Sequence, residues 1–313
     1  MIKYIAKRLI QGIPVLLGAA TLVFLIIRVA PGDPAVAMLG AYAPEEVIQA
    51  YRVRYGLDDP LWEQYLRFIG GLVKGDLGKS LITGMPVASQ VINVLPYTIT
   101  LTLAGLIIGL FAGVPLGIVA AVKHGRPPDT IMRFLSLTGL SVPSFYLGIV
   151  LLYFIGIRLR AFPIVGAGDF SQPLGYLKHL FLPGLTLGIV MMAYVTRITR
   201  ASMLNVLSDD YIRTARAKGV TRRTLLMKHA LRNALIPVVS VTSLYTIILM
   251  GSSVMIEIVF SRPGLGKLLL QAVEQRDYIT LESLIVLYSV FAITINIATD
   301  IFYAWIDPSI SYS

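Results

Sequence analysis

Six apolar runs, each close to the length a helix needs to cross a lipid bilayer, constrain this 313-residue chain more than any other feature. They fall at roughly Leu9–Val29, Pro96–Val122, Phe134–Ile157, Leu180–Thr196, Ile236–Phe260 and Leu284–Ile306, the fourth being the shortest. A hydrocarbon core about 30 Å thick takes about 20 residues of helix to span. With no water inside it, every backbone N–H and C=O must find a partner within the protein, so runs of this length resolve as helices. Composition agrees: 56% of residues are apolar and only 14% charged, where a soluble domain carries about 25% charge. The fold expected is an all-α membrane protein with six transmembrane helices.

The basic residues set the orientation. A net charge of +10 would suggest nucleic acid in a soluble chain, but here Lys and Arg cluster beside the apolar runs. Segments 1–8, 123–133 and 197–235 carry three, three and nine of them, against five, three and three in the segments 30–95, 158–179 and 261–283. Basic density next to span ends marks the cytoplasmic side, so both termini are expected there and no nucleic-acid partner is expected. Arg158 and Arg160, at the outer end of the third run, stand against this pattern. Lys3, Lys7 and Arg8 ahead of the first run resemble a signal peptide. That run is too long for one and no small-residue cleavage site follows, so it is expected to remain as the first span.

The chain shows no engine of its own. With no cysteine, disulfides, iron–sulfur clusters and thiolate zinc sites are excluded. His124, His179 and His229 each sit alone in a different connection, and neither a metal ligand nor a catalytic residue is expected among them. Gly78-Lys79-Ser80 has the ending of a phosphate-binding loop, but the glycine required five residues before Gly78 is replaced by Val73. A proton relay would need an ionisable group deep in a span. Glu257 and Asp300 both lie near span ends, with Asn296 one turn from Asp300, and anchoring is the role their positions favour. No run holds a histidine or a close pair of acids, as an intramembrane protease would require.

The outer segment after the first run is too long for a turn and should carry structure. Pro44 with Glu45 and Glu46 suits a helix start, and Gly56 its stop. Asp59 and Pro60 open a second helix with Leu61, Trp62, Tyr65, Leu66, Ile69 and Leu72 on one face, so a small helical cap on the outer side is expected. In the second run Gly105, Gly109, Gly113 and Gly117 recur every four residues, a flat helix face that lets another helix approach closely. Tight packing and a sliding surface are both open readings of it. Pro115, and Pro143 within Ser141-Val142-Pro143-Ser144, are expected kink positions.

Between the fourth and fifth runs lies a polar, basic insert. Tyr211 to Lys218 forms about two helical turns and Gly219 supplies a left-handed stop. Leu225, Leu226, Ala230, Leu231, Ala234 and Leu235 then recur at helical spacing, so two short helices meeting at a sharp angle are expected beside the membrane. Arg213, Arg216 and Lys218 beside the small Ala215 and Ala217 would suit an acidic-rimmed groove on a partner. A plain positive-inside loop suits the same residues, and both readings stay open on the residues alone.

The form Tyr211-x-Arg213-Thr214-Ala215-Arg216-Ala217-Lys218-Gly219, followed by His229-Ala230-Leu231-Arg232-Asn233-Ala234, resembles the coupling motif of binding-protein-dependent ABC importer permeases, in its peptide/nickel branch. Arg213-Thr214-Ala215 stands where the general pattern has Glu-Ala-Ala, Gly219 is in register, and Pro237 comes later than the general pattern places its proline. Further matches run along the chain: Arg28 to Pro34 with Pro31-Gly32-Asp33, Tyr55 to Leu61, Gly75-Asp76-Leu77-Gly78, Arg197 to Leu204, Glu257-x-x-Phe260, Pro263 to Gly266, Arg276-Asp277-Tyr278 and Asp307-Pro308. The chain is most similar to the first of two permease subunits in dipeptide and oligopeptide systems, although its last residues, Ser309 to Ser313, lack the basic ending common there.

The resemblance implies a type I ABC importer permease fold. Its parts would be the N-terminus and first span over 1–30, an extracytoplasmic helical segment over 31–95, a transmembrane core over 96–306 containing a coupling segment at 205–237, and a cytoplasmic tail at 307–313. It implies a non-catalytic subunit of a bacterial or archaeal cytoplasmic (inner) membrane, binding no cofactor itself. Its partners would be membrane lipid, a second homologous permease subunit, two ATPase subunits that hold ATP and Mg, and an extracytoplasmic substrate-binding protein. Contact with the ATPase would fall to Tyr211, Arg213, Thr214, Ala215, Arg216, Ala217, Lys218 and Gly219. The cargo expected is a di- or oligopeptide, with nickel chelates, glutathione or opines as alternatives, and a secondary transporter not powered by ATP as the alternative of another class.

Overall fold

The computed structural model describes residues 2–29, 32–40 and 42–306. Pro31 of the first outer motif, the Asp307-Pro308 pair and the tail 307–313 lie outside the described residues. Among the described residues the only extended pairing is an isolated bridge between Lys79 and Pro86, and every other regular element is helical. In chain order these are α1 (Ile2–Val29), α2 (Pro34–Leu39), α3 (Glu45–Tyr55), α4 (Leu61–Val73), α5 (Val87–Val122), α6 (Pro127–Ser141) and α7 (Ser144–Leu151, prolonged by a π turn over Leu152–Arg158). They continue with α8 (Pro173–Leu207), α9 (Asp210–Ala217), α10 (Arg222–Thr224, followed by a π turn over Leu225–Ala230), α11 (Leu231–Val259), α12 (Leu265–Glu274) and α13 (Tyr278–Ile306).

Five helices are long and apolar enough to cross a membrane by themselves, in α1, α5, α8, α13 and the continuous stretch Arg222–Val259. The expected third span is not one straight helix. α6 and the α7 stretch together reach the required length, but they are bent by 102° at the break between them. Pro143 explains the break: it cannot donate a backbone hydrogen bond, and Val142 before it is extended (φ −85, ψ 125), as a residue preceding proline prefers. Pro115, by contrast, stands within the uninterrupted α5. The short fourth run is the apolar middle of a 35-residue helix whose ends are polar. The second of the two short inner helices is not separate either, since α10, its π turn and α11 run on into the fifth span. Two helices were not anticipated: α2, whose Asp33 caps it by accepting from Ala35 N at 2.7 Å, and the amphipathic α12.

The chain divides into two compact units. One comprises Met1–Pro96 with Gly264–Thr294 and contains the helical cap. Helix α3 ends as expected, with Gly56 at φ 63, Gly56 N bonded to Val53 O and Leu57 N to Arg52 O. Helix α4 packs on α1 through Phe24, which is 2% exposed and meets the Tyr65 ring edge-on at 5.2 Å and the Phe68 ring in a stack at 6.1 Å. Buried Asp277 caps the start of α13: one carboxylate oxygen accepts from Ser80 Oγ at 2.5 Å and Thr280 Oγ1 at 2.7 Å, the other from Leu81 N at 3.0 Å. The serine of the false phosphate loop is therefore a buried staple between segments 197 residues apart.

The other unit comprises Tyr97–Pro263 with Ile295–Ser313, and α8 is its hub. A Cβ on Gly105 would come within 2.8 Å of Leu187 Cβ, one on Gly109 within 2.3 Å of Met191 Cγ, one on Gly113 within 2.7 Å of Val195 Cβ, and one on Gly117 within 2.5 Å of Thr199 Cβ. Both rows advance by four residues, so the i±4 ridge of α8 lies in the groove that the glycines leave on α5. Backbone closes the gap too, since Thr196 O would stand 2.8 Å from a Gly117 Cβ. Leu101, Leu187, Met191, Val195, Leu249 and Ile256 form the apolar core around this seam.

Overpacking a close-packed seam costs about 1–3 kcal/mol. Gly109→Leu is expected to lower the melting temperature in detergent by several degrees in a scanning fluorimetry experiment. Gly18→Leu, at a position on α1 with nothing within 4 Å of its Cβ, is the control expected to leave it unchanged. Equal melting temperatures for the two variants would show that α5 and α8 separate at no cost.

Candidate functional site

The basic insert folds as a short helix pinned to the feet of three spans. Ile212 is fully buried and packs with Ala121 of α5, Met203 of α8, and Leu225, Ala230 and Ala234 along the approach to α11. One anchor on an eight-residue helix leaves its other faces outward: Arg213, Thr214, Arg216, Ala217 and Lys218 are exposed and Ala215 is half-buried. Tyr211 is 40% exposed, and its hydroxyl accepts from Asn233 Nδ2 at 2.7 Å, tying the first turn of α9 to α11.

Helix α9 ends in a complete left-handed stop. Gly219 has φ 77, its N–H bonds Arg216 O at 3.0 Å, and Val220 N bonds Ala215 O at 3.3 Å. Val220 and Ala215, the residues that such a stop brings into apolar contact, both pack against the cluster around Ile212. Nothing lies within 4 Å of where a Gly219 Cβ would stand, so the demand for glycine comes from the backbone angle alone. Thr221 opens the next turn, accepting from Thr224 N at 3.4 Å. The structure thus brings all eight residues expected at the coupling segment into one exposed, capped helix and its stop.

A charge cluster behind this segment was missed in the sequence. Asp129, 1% exposed at the start of α6, accepts from Arg200 of α8 through both carboxylate oxygens, at 2.5 Å from Nε and 2.9 Å from Nη2. Gly125 N donates to the same carboxylate at 3.0 Å, and His124 Nδ1 lies 3.2 Å from it. Such a two-pronged pair fixes both position and plane. His124 is therefore part of a cluster rather than alone, and Asp129, the one acid in the basic segment 123–133, was the available signal.

A second buried charge group lies just past the C-terminal end of α11 in the same unit. Arg262 is fully buried, donates from Nη2 to the Tyr176 hydroxyl at 2.7 Å, and has its guanidinium 5.5 Å from the Tyr97 ring centre and 5.2 Å from that of Tyr176. Burial pulls its pKa below the ordinary arginine value, partly offset by Tyr176, Glu257 and Tyr97. Glu257 is also fully buried and accepts from Thr98 Oγ1 at 2.7 Å, an anchoring contact. Ser261, left-handed at φ 47, makes the turn that brings Arg262 back, with Arg262 N bonded to Glu257 O at 2.8 Å.

In the unit that holds the cap, charges are paired as well. Arg52 reaches Asp33 from Nη2 at 2.5 Å and from Nε at 3.0 Å, and Arg28 forms an ion pair with the buried Glu282. Partial burial by itself would raise the Asp33 carboxyl, but the hydrogen bonds from Arg52 and the Ala35 N–H outweigh it and the net shift is downward. Tyr51 donates to Leu81 O at 2.6 Å, and its hydroxyl is pushed up to about 12, by burial first and then by the neighbouring Tyr55 and Asp277. Among the described residues no group of three or more His, Cys, Asp or Glu side chains is placed to hold a metal ion.

Comparison with known proteins bears on the whole chain. A family model described as the binding-protein-dependent transport system inner membrane component matches residues 113–312, and the model of the N-terminal part of such membrane components matches residues 1–102. A glutathione transport system permease protein, GsiC, of Escherichia coli is 41% identical over 312 residues, with 100% of both chains covered, and the protein of the same name from Shigella dysenteriae is equally similar. Among solved structures, an inward-facing form of the MetNI methionine ABC transporter matches with a TM-score of 0.55 at 18% identity, over 69% of this chain and 95% of that one. A crystal structure of an amino acid ABC transporter with histidines matches with a TM-score of 0.54 at 16% identity, over 70% and 94%. The fold is that of the type I ABC importer permeases.

Removing one member of a buried ion pair costs about 3–5 kcal/mol, because the other is left uncompensated, whereas replacing both by apolar groups is often neutral. Asp129→Ala is therefore expected to lower the melting temperature strongly, and Asp129→Ala with Arg200→Met to recover most of the loss. Thermal unfolding of the two purified variants checks this, and a double variant no better than the single one would refute the compensated-pair account.

Proposed function

From the premise that this chain belongs to the family of binding-protein-dependent transport system inner membrane components, we propose that it forms half of the pathway of an importer for short peptides, the γ-linked tripeptide glutathione among them. It is a membrane-embedded permease subunit of an ABC importer. The finer reading adds a second, homologous permease, two cytoplasmic ATPases holding ATP and Mg, and an extracytoplasmic binding protein that delivers the cargo. Both termini lie in the cytoplasm in this reading, with the basic insert on the same side.

One observation carries the coupling role. Helix α9 presents a basic, small-residue face outward while Ile212 ties it to the feet of α5, α8 and α11. A groove on an ATPase that gripped the outward face would move the spans through the buried one. In this reading Tyr211, Arg213, Thr214, Ala215, Arg216, Ala217 and Lys218 meet the ATPase, and Gly219 sets the direction in which the chain leaves it. The names of the full-length relatives support a peptide-like cargo, and the described residues offer no metal-holding cluster for a bare ion.

Ala215→Glu places a charge against an acidic-rimmed groove, and Gly219→Pro removes both the left-handed stop and its N–H bond. In proteoliposomes containing the whole importer, each variant is expected to insert normally and hydrolyse ATP, yet lose at least about tenfold in uptake of labelled glutathione, a loss of about 1.4 kcal/mol or more in coupling. Wild-type uptake by both variants would defeat the coupling role. Uptake that proceeds without ATP would favour a secondary transporter.

A further inference from the structure

Four of the outer motifs that coupling leaves unexplained converge on one cavity of about 560 Å³ in the cap unit. The stretches 32–34, 55–58 and 76–78 line it together with Tyr278. Its volume falls in the range of roughly 300–1,000 Å³ typical of small-molecule sites. Two ion pairs stand in its wall, Arg52 with Asp33 and Arg28 with Glu282, and Gln64 bridges toward Arg28 at 3.3 Å. Leu61, Phe68 and Leu72 supply an apolar side. We propose that this cavity is a binding site for a small zwitterion with an apolar body, a free amino acid or a short peptide.

Charge balance selects the ligand. Arg67, paired with Asp59, also stands in the wall, as do Asp58, which accepts from Gln49, and Asp76, which accepts from Gly78 N. At the Arg28 and Arg52 pairs a ligand of a single sign would displace one partner and strand it, at the cost of an uncompensated charge. A zwitterion exchanges in pairs: its carboxylate takes a guanidinium, its ammonium takes the carboxylate thereby released, and none is left alone. Arginine meets a carboxylate through two parallel bonds, as Arg52 already meets Asp33. The apolar side covers whatever the ligand carries between its charges. Glu282 is 3% exposed while Arg28 retains 18%, so the Arg28 end of that pair is the one more open to exchange. A zwitterionic lipid headgroup shares this chemistry, but the proposed occupant is the free solute. The inference stands on the cap unit alone and does not depend on what the importer carries.

The test is calorimetric titration of leucyl-leucine into the whole importer in phosphatidylcholine nanodiscs, without the binding protein. The wild type is expected to show a saturable binding event that weakens at least tenfold when the peptide is N-acetylated or C-amidated. Leu61→Trp and Leu72→Trp, which fill the apolar side, are expected to abolish the event, and Asp33→Asn to weaken it tenfold, with basal ATP hydrolysis showing that each variant is assembled. Equal binding by the filled variants would place the event elsewhere and overturn the proposal. So would indifference to acetylation and amidation, or the absence of a binding event at millimolar peptide. Loss of binding when phosphatidylethanolamine replaces phosphatidylcholine would also overturn it, by assigning the cavity to the lipid headgroup. Transport of an unrelated cargo by an importer that binds leucyl-leucine here would refute the peptide-import reading and leave this site intact.

Discussion

The seam between α5 and α8 is the contact on which the rest of the larger unit depends. Helices in lipid gain little from burying apolar surface against one another, so they are held by closeness of packing. Four glycines give α5 a face against which Leu187, Met191, Val195 and Thr199 lie at distances no side chain would permit. That contact fixes the rotation of α8 about its own axis. With the rotation fixed, Arg200 falls one residue beyond the last rung and meets Asp129, and Met203 falls where Ile212 can pack on it. The position of α9 is thus a consequence of a seam that begins on the far side of the membrane-spanning core. Sliding of this seam would have to carry Met191 past a Gly109 with no room to spare, which favours α5 and α8 moving as one body.

Charge is handled by the same economy in both units. Asp129 with Arg200, Glu257 near Arg262, Arg28 with Glu282 and Asp33 with Arg52 are all opposed, and each lies near an end of a helix rather than in the middle of a span. A buried pair contributes little net stability but penalises any arrangement that separates it. Such pairs act as registration devices, and the bidentate geometry of Arg200 on Asp129 suits that role because it fixes a plane as well as a distance.

Much of this was legible from the residues. Apolar length and the placement of Lys and Arg gave the class, the four-residue glycine spacing marked the seam, and Pro44, Gly56 and Pro60 placed α3 and α4 almost to the residue. What escaped depends on contacts between residues remote in sequence. Asp129 and Arg200 are 71 residues apart, and Ser80 and Asp277 are 197 apart, so neither pairing leaves a local trace. The bend at Pro143 was foreseen as a kink, but its size of 102° was not, because the pre-proline preference of Val142 says that the helix stops and not where the next one points. The short inner helix merged with α11 for a related reason: apolar periodicity through residues 225–235 continues into the span, and Pro237 at the junction is accommodated inside α11.

Two glycines mark the difference between a positional and a directional requirement. At Gly109 the backbone is ordinary helix and the space is full, so any side chain is refused by its neighbours. At Gly219 the space is empty and the backbone is left-handed, so a side chain is refused by its own main chain. The first holds two spans together. The second sets where the chain goes after α9, and the bonds from Gly219 and Val220 back to Arg216 and Ala215 make that exit angle part of the helix rather than of a loose linker. In the coupling role proposed for α9, a push delivered by a partner reaches the spans by two routes, through Ile212 packed on α5 and α8 and through the stiff turn into α11. A mutation at Ile212 would loosen the first route and one at Gly219 the second, so the two should differ in which span lags behind when the ATPases close.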